Sequence, residues 1–274
     1  MRVYRPITVA ATLVALALAA TGATLVSADP PASRCDVVGT DGDDVIYGYD
    51  FPSWWAEGAD IIYASPERSE VICGLGGNDR IIAYTDDVVY GGPGDDAIYN
   101  GAAARRLYGG EGDDRLIACV PYECMGDRRE ATMFGGPGAD TLSGKDGRDR
   151  LRGGVGDDVL VGSGNDDWLY GGPGDDELVG WWGADHLYGG HGHDKLEGGK
   201  NNDVLVGGTG RDRLWGGPGN DWMFGRRGAD VLYGREQYDD IRKRDRLEGG
   251  PGHDRGTWDR GLDRRKSVEK HAED

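Results

Sequence analysis

From Gly135 to Tyr233 an aspartate returns every nine residues, eleven times without a slip, and that period excludes most folds at once. The 99 residues divide into GGPGADTLS, GKDGRDRLR, GGVGDDVLV, GSGNDDWLY, GGPGDDELV, GWWGADHLY, GGHGHDKLE, GGKNNDVLV, GGTGRDRLW, GGPGNDWMF and GRRGADVLY. Position one is always Gly, position six is always Asp, and position eight is Leu in ten units and Met223 in the other. Position four is Gly in nine units and Asn165 or Asn201 in two. Asn tolerates left-handed backbone better than other non-glycine residues, so this column asks for a conformation and not a side chain. A nine-residue period does not keep Asp and Leu on one helical face, and each Gly would cost a helix about 1 kcal/mol. A short extended segment fits instead, with residue eight turned in and residues seven and nine turned out.

Stacked coils bring equal positions to about 4.8 Å of one another. The Asp column then becomes two ladders: Asp140, Asp158, Asp176, Asp194, Asp212 and Asp230 in one, Asp149, Asp167, Asp185, Asp203 and Asp221 in the other. Carboxylates at that spacing repel by roughly 1 to 3 kcal/mol per pair, so the arrangement requires a cation. An all-oxygen donor set selects a hard ion, and a carbonyl-rich loop suits Ca²⁺ better than Mg²⁺. The gaps between rungs allow up to nine sites in this tract. One apolar residue in nine is too small a core to order so glycine-rich a chain alone. The chain is therefore expected to fold when calcium binds.

The units GGPGADTLS to GRRGADVLY resemble the repeats-in-toxin nonapeptide, a calcium-binding repeat. The resemblance implies an all-β fold: a right-handed parallel β-roll, or calcium-binding β-solenoid, of 18 residues per coil. Gly-rich loops would alternate with three-residue strands. Each Ca²⁺ would sit between coils, held by the sixth-position Asp of units n and n+2 and by loop carbonyls.

The remaining chain divides around this tract. Residues 1–28 read as a signal peptide: Arg2 and Arg5 precede an apolar run, and Val26-Ser27-Ala28 offers a cleavage site near Ala28. An uncleaved membrane anchor is the alternative; after cleavage no membrane span is expected. Residues 29–38 form a linker with Cys35, and 39–134 hold the repeat in worn form with insertions. Good units there place Asp44, Asp79, Asp96 and Asp114 at position six, while units such as DDVVY around Asp87 keep the strand and lose the loop. One ladder is thus expected to continue through this half and the other to decay. Residues 234–274 hold an insertion, a last loop ending at Asp254, and a C-terminal cap and tail. A type I secretion signal in that tail is the alternative.

Cys35, Cys73, Cys119 and Cys124 form an even set, which in an exported chain suggests two disulfides. Cys119 with Cys124 and Cys35 with Cys73 is the favoured pairing; a four-thiolate zinc site lacks paired knuckles. The formal charge of −18, or −20 without Arg2 and Arg5, argues against nucleic acid as a partner and for cations.

Outward positions are uneven. Strands after the Asp149 ladder carry Trp168, Tyr170, His186, Tyr188, Trp222 and Phe224, whereas the opposite sheet is mixed. Trp168, Tyr170, Tyr188, Trp222 and Phe224 either stack across coils to stiffen the roll or form a flat docking face for a protein or glycan. His191 and His193 beside Asp194 suggest a metal trio, but they occupy free loop positions and read as solvated. Trp181-Trp182 is an exposed loop pair, with sugar or membrane contact as the alternative. HExxH and GxSxG are absent, and repeats fill Gly39 to Asp254 without room for a catalytic domain. The sequence points to a secreted, non-enzymatic calcium-binding protein with a surface or matrix role. A passive calcium buffer, or a hydrolase-associated module with its site on the roll, stays open.

Overall fold

The structure is a computed structural model. It describes residues 71–83, 87–100, 106–118, 130–234 and 245–257, and the backbone of short strands at Val37–Val38, Val45–Tyr47, Ile61–Tyr63, Arg264–Lys266 and Glu269–Lys270. Among these residues every assigned element is a strand, and the strands form two sheets of 12 and 13, parallel throughout. From Val71–Cys73 onward consecutive strands alternate between sheets. In the first sheet Thr132–Pro137 pairs with Arg150–Val155, then Trp168–Pro173, His186–His191, Val204–Gly210 and Trp222–Gly228. In the second, Thr141–Asp146 pairs with Val159–Gly164, Glu177–Trp182, Lys195–Lys200, Arg213–Trp215 and Val231–Tyr233. Register advances by 18 residues, as in Leu142 against Leu160. The fold is the parallel β-roll, at 18 residues per coil, that the resemblance implied.

Most strands of the repeat tract are longer than the three residues expected. They run on through positions one, two and three, because the loops also bond from coil to coil: Gly156 N–H donates to the Pro173 carbonyl at 2.9 Å, and Gly174 N–H to that of His191 at 2.8 Å. A chain with few side chains to bury satisfies its backbone along the axis instead.

The core is one column of side chains. Leu142, Leu151, Leu160, Leu169, Leu178, Leu187, Leu196, Leu205, Leu214, Met223 and Leu232 are fully buried. The column extends through Ile72, Ile81, Val89, Ile98, Leu107, Leu116 and Met133 below it and Leu247 above. Position eight is not alone inside, however. The sixth-position aspartates are as deeply buried as the leucines, and that is where the site lies.

In every unit of the tract but that of Gly219, position four has the conformation its Gly/Asn composition requires: φ is +147° at Gly138, +72° at Asn165 and +88° at Asn201. Position two also turns left-handed, at Lys145, Ser163, Trp181 and Arg226 as well as at glycines. That demand was invisible in the sequence because non-glycine residues there accept the strain, about 1 to 3 kcal/mol each.

Candidate metal centre

The two expected ladders are present as hydrogen-bonded columns. Within each, the Oδ1 of one aspartate accepts the backbone N–H of its counterpart one coil earlier: Asp140 to Asp158, Asp158 to Asp176 at 2.9 Å, Asp149 to Asp167, Asp167 to Asp185 and Asp185 to Asp203 at 2.9 Å. Asp176, Asp194, Asp212 and Asp230 continue the first ladder, and Asp203 and Asp221 the second. Below the tract, Asp79, Asp96 and Asp114 join the first ladder, with Asp114 N–H donating to Asp140 Oδ1 at 2.8 Å across 26 residues. Above it, Asp230 N–H donates to Asp254 Oδ1. Asp44 lies outside the described residues.

The second ladder ends where the sequence suggested decay. Ala131 holds the rung below Asp149, giving its N–H to Asp149 Oδ1 but offering no carboxylate. Farther down, Asp87 is buried at 1% exposure, a relic rung that a reading by glycine loops passes over. The sequence reading also missed Asp245. It is 2% exposed and accepts the Asp221 N–H at 2.9 Å, so it caps the second ladder. Its signal was available: Asp245 stands two residues before core Leu247, with Gly249-Gly250 following.

The second carboxylate oxygen has no such role. In Asp114, Asp140, Asp149, Asp158, Asp167, Asp176, Asp185, Asp194, Asp203, Asp212, Asp230 and Asp254, Oδ2 is buried and accepts no hydrogen bond among the described residues. In the repeat tract it lies against the position-one Gly of its own unit, where a Cβ would collide with it. In several coils the same space also faces the carbonyl oxygen of the next position-one Gly. A Cβ on Gly135 would stand 2.6 Å from the Gly153 oxygen, and one on Gly180 would stand 2.5 Å from that of Gly198. Position one is thus Gly to leave a cradle of acceptors, since its φ is ordinary in these units. Gly180→Ala should lower the melting temperature in calcium and remove about one ion from the titrated stoichiometry; overpacking of this kind costs about 1 to 3 kcal/mol. A Gly180→Ala chain that kept full stoichiometry would show that the cradle is not a ligand site.

Buried oxygens facing one another without a donor require a proton or a cation. The electrostatics agree. Burial raises the Asp167 carboxyl to about 9, with Asp149, Asp185 and Asp166 adding repulsion. Burial likewise raises Asp114, Asp149, Asp158 and Asp203 to about 8, Asp185 and Asp194 to about 7, and Asp140, Asp176, Asp212 and Asp230 to about 6. Among the described residues no cluster of three or more His, Cys, Asp or Glu side chains could hold a metal. Any ion in the ladders would therefore draw most of its ligands from backbone carbonyls. Such an all-oxygen set suits calcium, which takes six to eight oxygen ligands.

Position five adds a solvent-facing seam of opposite direction. Asp157 Oδ1 accepts the Asp175 N–H at 2.7 Å, Asp175 Oδ1 that of His193 at 2.6 Å, and His193 Nδ1 that of Arg211 at 2.9 Å. His191 Nδ1 meets Thr209 Oγ1 at 2.7 Å. The two exposed histidines are thus loop-stitching residues and not part of a metal trio.

A β-roll whose two edges carry buried aspartate ladders beside glycine cradles defines a repeat protein built around cation sites. The model of the RTX calcium-binding nonapeptide repeat matches residues 36–50, 74–104, 106–118, 134–169, 161–196 and 197–232, more than half of the chain. The chain belongs to that family. No curated protein matches it significantly. Asp245 and Asp254 lie beyond the matched segments but continue the same columns.

Proposed function

We propose that this is an exported, non-enzymatic protein that folds by binding calcium and acts at a surface or in an extracellular matrix. The single observation that carries the reading is the row of buried Oδ2 atoms facing acceptors, which a divalent ion would satisfy. Asp79, Asp96, Asp114, Asp140, Asp149, Asp158, Asp167, Asp176, Asp185, Asp194, Asp203, Asp212, Asp221, Asp230 and Asp254 are the proposed carboxylate ligands, with Asp245 added and Asp44 as the outermost. Extracellular calcium would fill sites of about 10⁻⁴ to 10⁻³ M affinity, leaving the chain unfolded in a low-calcium cytoplasm. Residues 1–28 would direct export, consistent with the extracellular setting typical of RTX repeat proteins. Among the described residues no helix is long and apolar enough to cross a membrane. The proposed Cys35–Cys73 and Cys119–Cys124 disulfides fit an oxidising compartment; among the described residues no cysteine is a free thiol, but Cys35, Cys119 and Cys124 lie outside them.

The metal-stripped chain should give a disordered far-ultraviolet circular dichroism spectrum and gain β signal on titration with millimolar Ca²⁺. Isothermal titration should show several ions per chain. A β-rich spectrum unchanged by calcium would reject the reading.

A further inference from the structure

We propose that the outward face of the first sheet binds a linear anionic polysaccharide, with Arg150 and Arg152 as its cationic rung. The inference rests on the calcium-folded roll proposed above and names what that roll would hold. Around Arg150 and Arg152 the aromatic residues of this face do not present their ring faces to solvent; Trp222, at 51% exposure, stands apart from the stacks. Tyr90, Tyr108 and Phe134 stack in one column at 4.7 and 4.8 Å, Tyr170 on Tyr188 at 4.9 Å, and Trp168 on His186 at 5.4 Å, all with planes within 5°. Rings stacked along the axis cover one another, so their edges, which carry hydroxyl and ring N–H groups, are what a ligand meets. Sugar stacking on open rings is therefore not what the face offers; rows of hydrogen-bond donors are.

Arginine continues those rows. Arg152 lies between Phe134 and Tyr170, its guanidinium carbon 5.5 Å from each ring, and Arg150 lies 5.4 Å from the Trp168 ring. Both outward positions of one strand are thus exposed arginines, Arg152 between two aromatic rings and Arg150 between Trp168 and Thr132. An aromatic face holds the planar guanidinium in place while leaving its edge free for bidentate pairing with a carboxylate or sulfate. Arg152 makes no ion pair among the described residues, and the Arg150 contact with Glu130, at 3.7 Å, is exposed and weak. Along the described strands, the outward positions seven and nine of this sheet hold Arg106, Arg150, Arg152 and Arg246, but only one carboxylate, Glu248, which pairs with Arg246 at 3.4 Å. In a chain of charge −18, the acids are concentrated in the loops and the first sheet's face is left cationic.

Charge complementarity selects an anionic partner, and the shape selects a polymer of sugars. Every described strand between Val71–Cys73 and Arg246–Glu248 is paired on both sides, so that stretch offers no free edge for a peptide strand to join. The groove of about 340 Å³ lined by Glu177, Val179, Lys195, Glu197 and Trp215 is on the opposite sheet. What remains is a flat ladder whose rungs lie about 4.8 Å apart and carry donors at Tyr108, Arg150, Arg152, Tyr170 and Tyr188, a spacing suited to the carboxylates and hydroxyls of an extended glycan.

The test is isothermal titration of the full chain in calcium with hyaluronate, neutral dextran and poly-L-glutamate, with circular dichroism on the same samples. Hyaluronate should bind, more weakly as salt rises, and dextran should not. Arg150→Gln with Arg152→Gln should bind hyaluronate about tenfold more weakly while its calcium-induced spectrum is unchanged. Parent-like affinity in that variant, or equal binding of dextran, would overturn the proposal. Tighter binding of poly-L-glutamate than of hyaluronate would overturn the glycan assignment in favour of an acidic peptide. A chain that gains no β signal in calcium would overturn both this inference and the reading beneath it.

Discussion

Asp185→Asn combined with Asp203→Asn should raise the β content of the metal-stripped chain and at the same time cut its calcium uptake. The opposite signs come from the two oxygens of each side chain. Oδ1 accepts the N–H of Asp167 or Asp185, and an asparagine oxygen keeps that bond. Oδ2 sits beside a position-one glycine, facing the carbonyl of Gly198 or Gly216. An amide nitrogen there puts a donor on the carbonyl's side of the cradle and removes a buried charge, which together should contribute about 1 kcal/mol or more per site. The same change takes a carboxylate from the gaps on either side of each rung, so fewer ions bind and the melting temperature in calcium falls. Alanine at both positions separates the effects. It leaves two buried N–H groups without acceptors, at about 1 to 3 kcal/mol each, and should weaken the roll with and without calcium. An asparagine pair that binds as many ions as the parent would remove the ladders from the calcium sites altogether.

The metal-stripped chain should also fold on mild acidification. Burial, reinforced by neighbouring carboxylates, holds the rung carboxyls at about 6 to 9 in the roll, above the ordinary value of 3.8. The folded state therefore binds more protons than the unfolded chain between these limits, and stability falls as pH rises. The stabilisation is fully present below about pH 4 and is lost on passing through about 6 to 9. At about pH 5.5 each such carboxyl is largely protonated in the roll, and a proton takes the place of a calcium ion; at about pH 8.5 most are ionised and repel. Circular dichroism in metal-free buffer should show β structure growing from about pH 8.5 to about 5.5. Identical disordered spectra at both would contradict the buried-ladder geometry. The asparagine pair should flatten the pH response in proportion to the rungs replaced.

The roll and its rungs were legible because period is the one property that a stacked coil writes directly into sequence. Asp140 to Asp230 and Leu142 to Leu232 could be assigned by counting alone. What counting missed depended on neighbours that only stacking creates. The invariant position-one glycine had no evident cause until Asp Oδ2 was found against it. Trp181 at φ +76° gave no hint that position two turns left-handed. Asp245 was passed over because the glycines that usually announce a rung are missing before it. The aromatic residues admitted two readings in sequence, stacking across coils or a flat docking face, and the parallel stacking of Trp168 on His186 and Tyr170 on Tyr188 bears out the first.

Rungs of the first ladder are 18 residues apart in the tract, yet Asp114 reaches Asp140 across 26 and Asp230 reaches Asp254 across 24, with bonds of ordinary length. The ladder therefore accepts extra chain between two rungs without losing the bond that joins them. A foreign peptide or small domain spliced between residues 119 and 129, or between 235 and 244, is therefore expected to leave the ladder bonds from Asp114 to Asp140 and from Asp230 to Asp254 in place.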